Sequence, residues 1–155
     1  MWKTLGGTKV PNLTEWVREA TREGQSVHIG TDSLQTGKYT QFVTVVVIHT
    51  PGKGGRVAYR REVLSRITSL RERLLKEVWR SVEVGMTLTQ TDITIHVDAN
   101  PSEKHMSGRY VEELVGLVVG QGFKHKIKPD SWAASHAADH VVRFKGRLPK
   151  LEDVA

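Results

Sequence analysis

The 155-residue sequence contains no cysteine, which excludes disulfide bonds, a thiolate nucleophile and a cysteine-based zinc site. Its longest apolar run, from Phe42 to Ile48, is interrupted by Thr44 and is far shorter than the roughly 20 residues needed to span a bilayer. The first residues include no apolar segment typical of a secretory signal. We therefore expect a cytoplasmic protein that does not enter a membrane.

The familiar short motifs of nucleotide-binding and serine-nucleophile sites are also missing. The sequence has no Walker loop, no Gly-x-Ser-x-Gly turn and no Gly-x-Gly-x-x-Gly turn. The glycine-rich segment Gly52–Gly55 is predicted to be a hairpin turn, because no helix follows it. We therefore do not expect phosphate binding by a glycine-rich loop or catalysis by a serine nucleophile.

Composition and charge favour one globular domain with an anionic partner. Hydrophobic residues make up 38% of the chain and charged residues 26%, which suits a single domain over residues 1–155. We expect residues 1–26 to form a lead-in and a helix, and residues 145–155 to form a flexible tail. The net charge of +6 favours nucleic acid as the partner of a monomer or homodimer.

Hydrophobic periodicity predicts alternating strands and helices. Period-two patterns predict three strands joined by short glycine-containing turns, hence an antiparallel meander: 27–33, 39–49 and 56–63. Helical patterns cover four segments: 14–23 with Thr14 as its cap, 68–85, 108–120 and 131–144. Two further short strands are predicted between the last three helices, at 91–99 and 123–127. The predicted fold is α/β, with a mixed five-stranded sheet of three antiparallel and then two parallel strands, and helices on both faces.

Four acidic residues are predicted to meet at one edge of this sheet. Asp32 and Asp98 follow neighbouring parallel strands, Glu72 lies in the first half of the crossover helix, and Asp130 follows the last strand. Converging carboxylates repel one another unless a cation lies among them. Hard divalent ions such as Mg²⁺ or Mn²⁺ prefer these oxygen ligands.

Three segments resemble a known family: Ile29–Ser33, Ser69–Glu72 and Lys126–Ser131. They are similar to the YkuK-type ribonuclease H-like family, and the resemblance extends from about Val27 to Val142. It implies a ribonuclease H-like fold and a nuclease in which two divalent ions, about 4 Å apart, bridge the scissile phosphate. On this resemblance Asp32, Glu72, Asp98 and Asp130 are the catalytic and metal-binding residues.

Each of these residues also has a simpler explanation, and for Asp32 and Asp98 it is a turn residue that follows a strand. Glu72 is also explained as a capping-box partner of Ser69, and Glu77 is its rival, although it is expected to lie further from the active edge. Asp130 is also explained as the N-cap of the last helix, and Asp139 competes with it as the fourth ligand.

Several further side chains are candidates for binding substrate. A basic approach to the acidic edge is predicted from Arg71, Lys104, Arg109, Lys126 and Lys128, whose contacts to phosphates would weaken with salt. Trp132 is a candidate for base stacking, although packing explains it as well. His105 and His136 are candidates for proton transfer, whereas His28, His49 and His96 are interpreted as structural.

The predicted activity is divalent-metal-dependent hydrolysis of phosphodiester bonds in RNA, DNA or a hybrid. Two alternatives stay open: a non-catalytic nucleic-acid-binding module on the same fold, and a phosphatase acting on small substrates.

Overall fold

The computed structural model describes residues 1–21, 25–50, 54–88, 92–101 and 106–138. The helices and strands follow one another in this order: β1 (Trp2–Thr4), β2 (Lys9–Val10), α1 (Leu13–Ala20), β3 (Ser26–Thr36), β4 (Tyr39–Thr50), β5 (Gly54–Ser65), α2 (Leu70–Thr87), β6 (Ile93–His96), a 3-10 helix (Met106–Tyr110), α3 (Val111–Gly120), β7 (Lys124–Lys126) and a π-helix (Ala133–Ala138).

The sheet has seven strands in the order β2-β1-β5-β4-β3-β6-β7. The pairs β3–β6 and β6–β7 are parallel, and the other pairs are antiparallel. The fold is therefore α/β with a mixed sheet, as predicted. The antiparallel meander and the two parallel strands beyond β3 are confirmed.

Long β-branched segments explain the central strands. Each residue of β3 from Ser26 to Thr36 has a partner in β4, and Gly37 makes the connecting turn with a φ of +57°, a conformation that favours glycine. Most of β4 is buried, because the strand is central and is covered on both faces. This burial accounts for its continuous apolar run.

The sequence prediction was wrong at two places near the start of the chain. The expected lead-in contains β1 and β2, and β1 extends the sheet by pairing with β5; strands of three and two residues are too short to show an alternating pattern. Helix α1 is capped by Asn12 rather than Thr14, since the Asn12 side chain accepts a hydrogen bond of 3.0 Å from the Glu15 N–H.

Other predicted boundaries need smaller corrections or lie outside the described residues. The predicted helix over 108–120 starts as a 3-10 helix before α3. The last predicted helix is a π-helix over Ala133–Ala138, and its continuation to residue 144 and the predicted tail 145–155 are outside the described part of the chain.

The helices cover both faces of the sheet. Helices α1, α2 and α3 contribute Leu13, Val17, Leu74, Val78, Val82, Leu114 and Val118 to a large core beneath one face. On the other face, Ala133 and Ala138 of the π-helix pack on Val43, Val45 and Val47 of β4. No helix within the described ranges is both long enough and apolar enough to cross a membrane.

Candidate metal centre

Three carboxylates from separate elements meet at one end of the short strand β6. Asp32 lies on β3, Glu77 on α2, and Asp98 two residues beyond β6. One oxygen from each carboxylate lies within 4.8 Å of the other two. Asp32 and Glu77 are 8% and 5% exposed, so two of the three carboxyl groups are held in a poorly hydrated place.

The parallel register of β3 and β6 brings Asp32 and Asp98 together. Gly30 pairs with His96 at the last position of this ladder, and each aspartate lies two residues further along its chain. Asp98 lies just beyond the end of β6, and there one of its carboxylate oxygens comes within 4.8 Å of one from Asp32. The sheet opens at this point because β6 ends there. The sequence predicted that the first long strand ends near Asp32. In the structure β3 continues to Thr36, and Asp32 lies opposite Val43.

Two polar contacts fix α2 on β3 and carry Glu77 into the group. Ser33 Oγ donates a hydrogen bond of 2.5 Å to Glu77 Oε2, and one turn later the hydroxyls of Thr31 and Ser81 are 2.7 Å apart. A Glu on the buried face of an amphipathic helix needs such partners. Glu77 lies three residues after Leu74 on that face. This spacing was the sequence signal that could have indicated that Glu77 is buried.

The structure places Glu72 differently from the expectation. Glu72 is exposed in the first turn of α2, and its backbone N–H donates to Ser69 Oγ at 3.2 Å. It is not part of the carboxylate group, and Glu77 takes that place. The expectation that Glu77 lies further from this edge is therefore wrong: the helix is oriented by its contacts to Thr31 and Ser33, which the sequence pattern does not show.

Electrostatics mark Glu77 as an unusual carboxyl group. Burial, and then the charge of Asp98, raise its pKa to about 8, although the Ser33 hydrogen bond and the charges of Arg73 and Lys128 act in the opposite direction. Lys128 Nζ also forms an ion pair of 2.9 Å with Asp98 Oδ1. A cation among the three carboxylates would favour the ionised form of Glu77.

Asp130 lies outside this group, in the wall of a neighbouring cleft. The cleft has a volume of about 460 Å³ and is lined by His125, Lys126, Ile127, Pro129, Asp130 and Trp132. The Asp130 side chain is exposed, and its backbone N–H donates to the Ile127 carbonyl at 2.8 Å. Its rival Asp139 is outside the described residues.

The predicted basic residues are not all free to meet a ligand. Arg71 forms an ion pair with Glu113, with an Nε–Oε2 distance of 3.0 Å, and Lys128 is paired with Asp98. Lys126 lines the cleft, and Arg109 is exposed on the 3-10 helix. Lys104 is outside the described residues, as is His105, and nothing is described of the His136 side chain.

A chain of buried histidines connects the sheet to the π-helix beside this centre. The Ala133 N–H donates to His96 Nδ1 at 3.1 Å, and His96 Nε2 lies 2.8 Å from His28 Nδ1. Burial is the main cause that lowers the pKa of His28 to about 4 and that of His96 to about 3, so both rings are neutral at pH 7. Since Ala133 donates to Nδ1, His96 carries its proton on Nε2 and donates to His28.

The series of hydrogen bonds through His96 and His28 ends at Ser26, and Trp132 packs against its histidine rings. His28 Nδ1 accepts from His96, so His28 Nε2 carries the proton and donates to Ser26 Oγ at 2.7 Å. The Trp132 ring packs against His28, His49 and His96, with centroid distances of 4.7, 5.3 and 4.7 Å. Trp132 is therefore anchored by packing while it lines the cleft.

The donor set of the centre fits a hard divalent cation. Three carboxylate oxygens within 4.8 Å are the ligand type that Mg²⁺, Mn²⁺ and Ca²⁺ prefer. Two of the three carboxylates are buried, and a bound cation would offset the free energy needed to keep them ionised there.

Comparisons with known proteins agree with this architecture. The ribonuclease H-like family model matches residues 9–143. The uncharacterized protein YkuK of Bacillus subtilis is 28% identical, and the match covers 84% of this chain and 87% of YkuK. The tyrosine recombinase XerC of Corynebacterium efficiens is also 28% identical, over 93% of this chain, but the match spans only 50% of the recombinase.

Among solved structures, RNase H1 of the halophilic archaeon Halobacterium salinarum resembles this chain with a TM-score of 0.45. The sequence identity is 19%, and the match covers 76% of this chain and 97% of that protein.

Proposed function

We propose, since the chain belongs to the ribonuclease H-like family, that it is a divalent-metal-dependent nuclease that hydrolyses phosphodiester bonds. The observation that carries the proposal is the group formed by Asp32, Glu77 and Asp98, whose oxygens lie within 4.8 Å of one another at the end of β6. Such a group supplies what the chemistry needs, namely a fixed anionic site for Mg²⁺ or Mn²⁺.

In this proposal the three carboxylates hold the metal and the surrounding side chains keep them in place. A bound divalent ion would lower the pKa of water and withdraw negative charge from a phosphate. Asp32 and Asp98 are positioned by the β3–β6 register, and Ser33 orients Glu77. Because these supports lie on the sheet and its packed helix, the ligand geometry exists before substrate binds.

Nucleic acid is the proposed substrate class. The net charge of +6 favours a polyanion. His125 and Lys126 line the cleft, and Ile127 and Pro129, on either side of Lys128, line it as well. Contacts of lysine to phosphate add affinity without reading sequence. Asp130 is proposed to act at this cleft, close to the substrate, rather than as a ligand inside the carboxylate group.

The test is cleavage of labelled RNA, DNA, hybrid and branched substrates with Mg²⁺ or Mn²⁺. We expect the native protein to cut at least one of them, and Asp32→Asn and Glu77→Gln each to reduce the rate by at least about 100-fold, because removing a ligand charge weakens both metal binding and phosphate activation. Glu83→Gln, at an exposed position of the same helix, is the matched control and should retain the native rate.

Glu72→Gln separates the two assignments on α2. If Glu77 is the ligand, Glu72→Gln keeps most of the activity. Loss of cleavage in Glu72→Gln with retention in Glu77→Gln would contradict the proposal for Glu77. If the native protein cuts nothing and binds nucleic acid as well as Asp32→Asn does, a non-catalytic binding module replaces the nuclease. Turnover restricted to a small phosphate ester would identify a phosphatase.

A further inference from the structure

Lys128 brings a positive charge to the carboxylate group. Its Nζ lies 2.9 Å from Asp98 Oδ1, and the side chains of Lys128 and Asp98 are 41% and 18% exposed. Its charge also acts on Glu77. The lysine therefore interacts with two of the three acids that form the proposed metal site.

Backbone hydrogen bonds hold Lys128 at this place. The Lys128 N–H donates to the Ala99 carbonyl at 3.1 Å, and the Val97 N–H donates to the Lys126 carbonyl at 2.8 Å. These two bonds hold the segment from Val97 to Ala99, which contains Asp98, against the segment from Lys126 to Lys128. The backbone of Lys128 is thus held beside Asp98, and this places the lysine side chain within reach of that carboxylate.

The lysine changes the charge balance of the site. Carboxylates that bind a metal are ionised, so Asp32, Glu77 and Asp98 would supply three negative charges. Lys128, and Arg73 one turn before Glu77 on α2, return two positive charges to their surroundings. Among the described residues, a single divalent ion is enough to make the net charge of the centre positive, and a second ion would be repelled.

We propose that the positive charge of Lys128 keeps a second divalent ion out of this centre. The protein without nucleic acid then binds one divalent cation between Asp32, Glu77 and Asp98. This inference rests on the proposed metal-dependent function. It differs from the two-ion site implied by the family resemblance, because a second divalent ion would need the negative charge of a bound phosphodiester to enter.

The experiment measures the number and affinity of bound Mn²⁺ ions without nucleic acid, by isothermal titration calorimetry and by the electron paramagnetic resonance of free and bound Mn²⁺. Native protein, Asp32→Asn, Lys128→Gln and Lys124→Gln are compared. Lys124→Gln is the matched control, since Lys124 lies on β7 and pairs with Asp92 at the same 2.9 Å, but both of those side chains are more than half exposed.

We expect the native protein and Lys124→Gln to bind one Mn²⁺ ion with equal affinity, and Asp32→Asn to bind at least tenfold more weakly. Lys128→Gln should bind the first ion at least tenfold more tightly and take up a second, because a competing positive charge has been removed. An ion pair that only anchors the loop would leave the number of ions and their affinity unchanged, and that result would overturn the inference.

The native stoichiometry decides the question even if Lys128→Gln does not fold. Two ions per native chain would contradict the role of Lys128 while leaving the proposed nuclease in place. Failure of the native protein to bind Mn²⁺ at all would instead remove the metal-dependent function, and the inference with it.

Discussion

His28 and His96 are neutral because the fold buries them, and this burial has a consequence for stability. The pKa of His28 is about 4 in the folded protein, mainly because of burial, against an ordinary value near 6.5. Between these two values the unfolded chain binds more protons than the folded one. The contribution of His28 to stability is therefore fully present above about pH 6.5 and is lost as the pH falls through about 4.

We expect this effect to appear as a loss of unfolding free energy on the order of 1–3 kcal/mol between pH 6.5 and pH 4. Urea denaturation of the native protein and of His28→Gln across this range measures it. The Gln variant is less stable at pH 7, but its dependence on pH should be shallower because the titrating ring is gone. Equal slopes for the two proteins would show that His28 is not the source.

Glu77 shows what a sequence reveals about one residue and what it does not. The helix of residues 70–87 was predictable from its apolar positions, and Glu77 was recognised only as a rival to Glu72. Its burial depends on Ser33, from a strand 44 residues earlier, and this contact has no trace in the local pattern. Asp32 and Asp98 were easier to predict together, because each follows an apolar strand segment and parallel neighbours end at the same edge.

At the scale of elements, α2 packs closely against the segment that precedes β7. A Cβ added to Gly85 would lie 2.9 Å from the Phe123 Cζ atom, whereas a Cβ added to Gly116 of α3 would meet nothing within 4 Å. Both glycines lie in helices, so the intrinsic gain in helix propensity from alanine is the same at the two positions. The difference between the two substitutions therefore reports the packing alone.

We expect Gly116→Ala to stabilise the protein by about 0.5–1 kcal/mol and Gly85→Ala to destabilise it by about 1–2 kcal/mol, because overpacking outweighs the propensity gain. Thermal or urea unfolding of the two variants gives the comparison. Adding Phe123→Leu to Gly85→Ala should recover part of the loss by making room for the methyl group. A stabilising Gly85→Ala would mean that the ring moves aside without strain.

Element boundaries were less predictable than the elements themselves. The long central strands and α2 have enough periodic positions to be identified locally. Strand β6 has only four residues, and its end, which opens the sheet beside Asp32, is set by pairing with β3 and β7 rather than by its own sequence. Strand β1 exists because the edge of β5 is available to it, and β2 in turn pairs with β1.

For the molecule as a whole, metal binding should be visible as stability. A ligand that binds only the folded state, at 100 times its dissociation constant, adds about 2.7 kcal/mol to the unfolding free energy. Because Glu77, with a pKa of about 8, must ionise to bind a cation, the gain should increase from pH 6 to pH 8.5.

Melting temperatures with Mn²⁺ or with a chelator, at several pH values, test this expectation in the native protein and in Asp32→Asn. The native protein should melt at a higher temperature with Mn²⁺, and Asp32→Asn should respond much less. A shift of equal size in both proteins would indicate binding elsewhere on the molecule.

The overall topology was predictable because connection length and strand order constrain one another. Short turns enforced the antiparallel meander, and helical connections enforced parallel strands beyond β3. What the sequence could not give was the angle at which α2 lies on the sheet, and this angle determines which Glu joins the two aspartates.

The wide separation of the three acids along the chain also affects the route to the folded state. Residues 26–65 form their sheet through neighbouring hairpins, which close short loops, whereas β6 joins β3 only across a separation of 66 residues, as between Gly30 and His96. Closing a longer loop costs more chain entropy. Any partly folded state that contains only the hairpins is therefore free of the repulsion between Asp32 and Asp98, and the chain meets that repulsion only when β6 docks.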